Sequence, residues 1–137
     1  MPDSLELEVA TPERPLVRDR VSEVQIPGKD GYLGILPGHA PLVGQLGTGF
    51  LSYVAGNKRR YLSVHGGFVE VLPDLVRVLA NMAERAEEID VEGARRDLQT
   101  AQQQVFNPSL GVDPAVALEA MQKAQARIDA AAQNSEK

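Results

Sequence analysis

His39 and His65 are the only histidines in the chain, and no cysteine stands beside them. Imidazole carries protons near neutral pH and ligates metals, so these two are the first candidates for chemistry. A two-histidine metal site would need carboxylate partners that the spacing does not supply, so no metal is expected. His39, flanked by Gly38 and Ala40, reads as a loop histidine bonded to backbone groups. Gly44-Gln45-Leu46-Gly47-Thr48-Gly49 has the glycines of a phosphate loop. It lacks the Lys-Ser/Thr such a loop needs, and it opens onto a strand pattern rather than a helix. Lys58-Arg59-Arg60 is a basic triplet beside a turn, the usual place for solvated charge. No nucleophile, base and orienting group come together, so no enzyme activity is expected.

Composition narrows the classes further. A chain of 137 residues can hold one good core, or a small core with an appendage. No apolar run approaches the roughly 18 residues of a membrane span. Asp3, Glu6 and Glu8 near the start do not form an export or transit signal. A net charge of -5 makes nucleic acid an unsuitable partner, because phosphate contacts need a basic surface. The charge is uneven: residues through Ala83 carry a net -1 and those from Glu84 onward a net -4. Ten of the 12 glycines precede Phe68, so turns dominate the front and helix-compatible residues the back. The expected division is residues 1–83 and residues 84–137.

The front half reads as an all-β sandwich. Leu5, Leu7 and Val9 alternate with polar residues, as do Val24 and Ile26, which marks half-buried strands. Further runs are Phe50 to Val54, Arg60 to Val64, Phe68 to Leu72 and Leu75 to Leu79. Pro27-Gly28, Gly56-Asn57 and Pro73-Asp74 are the expected turns between them. Val69, Val71, Val76 and Val78 predict a final hairpin with one packed face.

The back half reads as an antiparallel two-helix hairpin. Ala80 to Glu88 is expected to be a hinge. Asp90 is the expected N-cap of a helix over about 90–106, with Val91, Ala94, Leu98, Ala101 and Val105 along one seam. Asn107 to Gly111 stops it, and Asp113-Pro114 starts a second helix over about 113–132. Ala117, Met121, Ala124, Ile128 and Ala131 form the matching seam. Alanine favours each helix but buries little area, so the helices are expected to be robust and their mutual contact weak.

Gly31 to Val43, Gly-Tyr-Leu-Gly-Ile-Leu-Pro-Gly-His-Ala-Pro-Leu-Val, is unusual in holding three glycines and two prolines within one apolar run. Together with Ser63-Val64-His65-Gly66-Gly67-Phe68-Val69-Glu70-Val71 it resembles the epsilon subunit of rotary F-type ATP synthases. The resemblance implies a non-catalytic central-stalk subunit of a proton-translocating ATP synthase, coupling c-ring rotation to the gamma subunit. It implies that Lys29, Asp30, Gly31 and Tyr32 face the c-ring and that Gly38, His39 and Ala40 lie towards gamma. The tail would inhibit ATP hydrolysis by reaching the alpha and beta subunits, with Arg95, Arg96, Lys123 and Arg127 as contact cations. An ATP site in similar tails would correspond to Ile89, Asp90, Ala94, Lys123 and Arg127. Gly93 stands where that motif has arginine, so ATP binding is expected to be weak or absent, with no other cofactor. The implied location is peripheral, at the cytoplasmic face of the bacterial inner membrane or at a plastid thylakoid. The alternative reading is a stand-alone nucleotide-sensing module.

Overall fold

The computed structural model describes residues 3–135. Alternation builds the first strand, β1 (Leu5–Ala10), which buries Leu5, Leu7 and Val9 completely. It is followed by β2 (Pro15–Val21), β3 (Glu23–Gly28), β4 (Gly31–Ile35), β5 (Leu42–Ala55), β6 (Lys58–Leu72) and β7 (Leu75–Arg85). The seven form one ladder in the order β2-β1-β7-β6-β5-β3-β4. β1 and β7 run parallel, and the other neighbours are antiparallel. β2 also touches β5, which is not its ladder neighbour, so the sheet folds over on itself. Leu16, Val17 and Val21 of β2 thereby share one core with Val24, Ile26, Leu51 and Val64. The final hairpin pairs Val69 with Val78 and Val71 with Val76, all four buried, as the sequence pattern predicts.

Several strands differ from expectation. β2 and β4 have no counterpart in the sequence reading. The Gly31–Val43 run holds β4, a turn from Leu36 to Pro41, and the start of β5. Pro27-Gly28 ends β3, and the turn falls on Lys29-Asp30 instead. Arg60–Val64 and Phe68–Leu72 are two parts of the single strand β6. The chain passes between them through Gly66 and Gly67 at φ 67° and 121°, a region that disfavours side chains. A Cβ on Gly67 would lie 2.1 Å from the Leu79 carbonyl oxygen, so the close approach to β7 requires glycine there. The expected hinge at Ala80–Glu88 is β7 as far as Arg85, then a short 3-10 turn, Ala86–Glu88.

Two helices follow, α1 (Val91–Phe106) and α2 (Pro114–Ser135). Asp90 caps α1, its Oδ1 accepting the Gly93 N–H at 3.0 Å. Asp113 caps α2 through the Ala115 N–H at 2.8 Å. Gly111 turns the chain between them at φ 84°. Ala94, Ala101, Ala117 and Ala124 are all at most 2% exposed, so the helices meet along the predicted seams. α2 also has a second alanine face that the single-seam reading lacks. Ala126 and Ala130 are buried, and α2 lies across β5 and β6. Ala130 meets Ala86 and Ile89, with Phe50 of β5 and Tyr61 of β6 packed alongside.

Candidate functional site

The hairpin is held to the sandwich by a seam with an apolar half and a charged half. The apolar half continues outward from Ala130 and Phe50 to Tyr32 on β4. The Tyr32 and Phe50 rings lie 5.7 Å apart, and the Phe50 and Tyr61 rings 6.1 Å apart. The Phe50 N–H donates to Tyr32 Oη at 3.1 Å. A Cβ on Gly49 would lie 2.5 Å from that oxygen, so glycine lets Tyr32 lie back over the sheet. Beside this row opens a cleft of about 640 Å³, bounded by Lys29, Tyr32 and Thr48 below and Gln102, Met121 and Gln125 above.

The charged half centres on Arg127 of α2. Its Nε donates to Glu84 Oε1 at 2.6 Å and a terminal nitrogen to Glu84 Oε2 at 3.3 Å, a two-pronged grip on the end of β7. Asp97 of α1 lies 3.7 Å from the same guanidinium. Lys123, one turn earlier on α2, donates to Met82 Sδ at 3.4 Å. His65 lies beneath them, 7% exposed. Burial, then the positive charges of Lys123 and Arg127, hold its pKa down at about 4, so it is neutral at pH 7.

The outer sheet face carries a different feature. In one register row Phe68 stands opposite Leu79, and Val43 is one diagonal step away. They are 57%, 53% and 73% exposed. The adjoining row is charged: Arg77 bridges Glu70 at 3.2 Å and Glu8 at 3.5 Å. An apolar centre with an ion-paired border has the make-up of a protein contact surface. The loop holding Gly38, His39 and Ala40 is fixed nearby, because the Gly38 N–H donates to the Pro73 carbonyl at 2.8 Å. Within that loop His39 Nδ1 bonds the Ala40 carbonyl at 2.6 Å, in keeping with a structural histidine.

Residues 4–86 match the family model for the ATP synthase delta/epsilon chain beta-sandwich domain. The chain is 62% identical over 128 residues to the ATP synthase epsilon chain of Solibacter usitatus (strain Ellin6076), covering 93% of this chain and 96% of that one. The chain belongs to the ATP synthase epsilon family. A second epsilon chain, from Koribacter versatilis (strain Ellin345), is 50% identical over 105 residues, 77% of this chain and 74% of that one. The fold also matches a chain of the Euglena gracilis mitochondrial ATP synthase OSCP/F1/c-ring structure. There the TM-score is 0.82 at 24% identity, covering 100% of this chain and 84% of that one. An epsilon chain is a structural and regulatory subunit of ATP synthase, with no catalytic centre of its own.

On this epsilon chain the residues expected to contact partners fall in separate places. Lys29 and Asp30 form the exposed β3–β4 turn, and Gly31 and Tyr32 begin β4. They line a shallow depression of about 480 Å³ with Leu42 and Val43. Tyr32 is a residue of β4, its hydroxyl bonded to the Phe50 N–H on the neighbouring part of the sheet. The four tail cations are not brought together. Arg95 and Arg96 are exposed on α1, Arg95 bonded to Glu92 at 2.9 Å, whereas Lys123 and Arg127 turn inward. Of the expected ATP set, Ile89 and Ala94 are buried, Asp90 is occupied as a cap, and Arg127 is already paired. Glu84, Met82 and Asp97 escaped the sequence reading. Glu84 sat in the supposed hinge, and only a prediction of β7 to its true end could have placed it under α2.

Proposed function

We propose that this chain is a rotor subunit of the central stalk, with the sandwich gripping gamma and resting on the c-ring, and the hairpin serving as a detachable arm. The observation that carries this reading is the exposed patch of Val43, Phe68 and Leu79 on an otherwise ion-paired sheet face. A surface of that kind is costly to leave bare and belongs against a partner. Gamma is the partner of this face, together with the Gly38–Ala40 loop beside it. The Lys29–Tyr32 segment, exposed at the β3–β4 turn, meets the c-ring.

The make-up of the seam supports the arm. On the α2 side its apolar contacts are Ala126, Ala130 and Ala131 and its charged contact is one guanidinium, so a partner that binds the freed helices can displace it. Freed, the hairpin reaches the alpha and beta subunits and slows hydrolysis, with Lys123 and Arg127 joining the already exposed Arg95 and Arg96. The subunit works peripherally, at the cytoplasmic face of a bacterial inner membrane. No helix among the described residues is long and apolar enough to cross a membrane.

Capture by immobilised gamma subunit tests the gripping face. F68E and L79E together are expected to weaken capture at least a hundredfold while the circular dichroism spectrum stays unchanged. Wild-type capture by a folded double variant contradicts the assignment.

A further inference from the structure

His65 is placed where only a neutral ring is tolerated. It lies in β6 under α2, and its Nδ1 is buried with no hydrogen-bond partner among the described residues. It borders a cavity of about 510 Å³. Lys123 and Arg127 of α2, Asp97 of α1, Glu84 of β7, and Glu13 and Arg14 of the β1–β2 turn are the charged groups facing that cavity. Arg127 is answered by Glu84 and Asp97, and Arg14 by Glu88 at 3.3 Å. Lys123 has no carboxylate within 4.0 Å among the described residues. The closed seam therefore offers a protonated imidazole no acceptor for Nδ1–H and an unanswered ammonium from the helix above.

We propose that His65 is a proton-sensitive latch: the hairpin docks over the neutral ring, and protonation of the ring drives the hairpin off the sandwich. The proposal rests on the reading of the hairpin as a detachable arm. Lifting α2 removes both cations and admits water to the ring.

The direction follows from linkage. The docked pKa is about 4, against 6.5 for an unperturbed histidine, so the docked form binds fewer protons. Docking is at full strength above about pH 6.5 and weakens as pH falls from there towards 4. Between about pH 7.5 and 5.5 the ratio of docked to free hairpin falls roughly tenfold.

The absence of cysteine allows two labels to be placed, at N57C on the sandwich and Q103C on α1, and their separation measured in the full chain by pulsed electron resonance. The free population is expected to rise about tenfold in relative weight across that pH window, and to stay flat in His65→Gln. A rise of the same size in His65→Gln overturns the latch. So does a free population that exists but ignores pH, which leaves the arm intact. Absence of any second separation at any pH overturns latch and arm together. Should His65→Gln fail to fold, nuclear resonance titration of the parent decides, with His39 as the only other ring. A His65 ring that titrates near 6.5 while the labels keep their docked separation overturns the proposal, and a ring that stays neutral until the labels part supports it.

Discussion

Arg127 and Glu84 form the two-pronged ion pair that joins the hairpin to the sandwich, at 2.6 and 3.3 Å. They are 43 residues apart in sequence and come from α2 and the end of β7. Arg127 is 19% exposed and Glu84 34%, so solvent screens the contact only in part. A double-mutant cycle of R127A and E84A, read as hairpin docking from label separation, is expected to give a coupling of about 1–2 kcal/mol. Additive single effects would show that the alanine contacts alone hold the arm.

ATP binding is expected to be poor because Arg127, one of the two cations that would meet its phosphates, is already paired and the arginine of the motif is missing at Gly93. Arg127 faces Glu84 and Asp97, and Gly93 supplies no side chain. A Cβ at Gly93 would lie 2.5 Å from Asp90 Oδ2, so a larger residue there must also disturb the cap of α1. Calorimetric titration is expected to give a Kd weaker than ~100 μM. Micromolar affinity would contradict this.

Gly67→Ala probes the sheet itself. The new methyl would run into the Leu79 carbonyl at φ 121°, so backbone must shift in the middle of β6. Urea unfolding is expected to show a loss of about 2–4 kcal/mol. Gly56→Ala, in the open β5–β6 turn, has nothing within 4 Å and carries only the strain of φ 64°, so its loss is expected to be about 1 kcal/mol.

Truncation after Glu88 removes both helices and leaves the sandwich core, whose buried residues all precede Phe106 and end at Ala80. The assembled enzyme carrying this truncation is expected to hydrolyse ATP faster than the intact one. Unchanged hydrolysis would remove the inhibitory role while leaving the coupling role in place.

What could be read from the sequence was what local periodicity encodes. Leu5, Leu7 and Val9 announce β1, and Val69, Val71, Val76 and Val78 announce the last hairpin, because alternation maps directly onto a buried face. β2 was silent because Leu16 and Val17 are buried side by side and Arg18 to Arg20 follow without alternation. β5 and β6 were read as fragments because their glycines look like turns, whereas they permit close strand approach, as at Gly47, where a Cβ would lie 2.9 Å from the Gly28 carbonyl oxygen. Asp90 and Asp113 were legible because a cap lies within three residues of what it bonds. The second face of α2 was not, since Ala126 and Ala130 have no feature that separates them from the alanines of the first seam. The same holds for the partner of Arg127 and the surroundings of His65. Both depend on where α2 lands on the sheet, which no local rule fixes.

Reconstituted vesicles test the rotor role most directly. ATP synthase assembled without this chain is compared with the complete enzyme for ATP hydrolysis and for acidification of the vesicle interior. The expected result is hydrolysis that continues while proton pumping collapses, and is restored by adding the purified chain but not its F68E/L79E variant. Full pumping in the absence of the chain would contradict the place proposed for it between gamma and the c-ring.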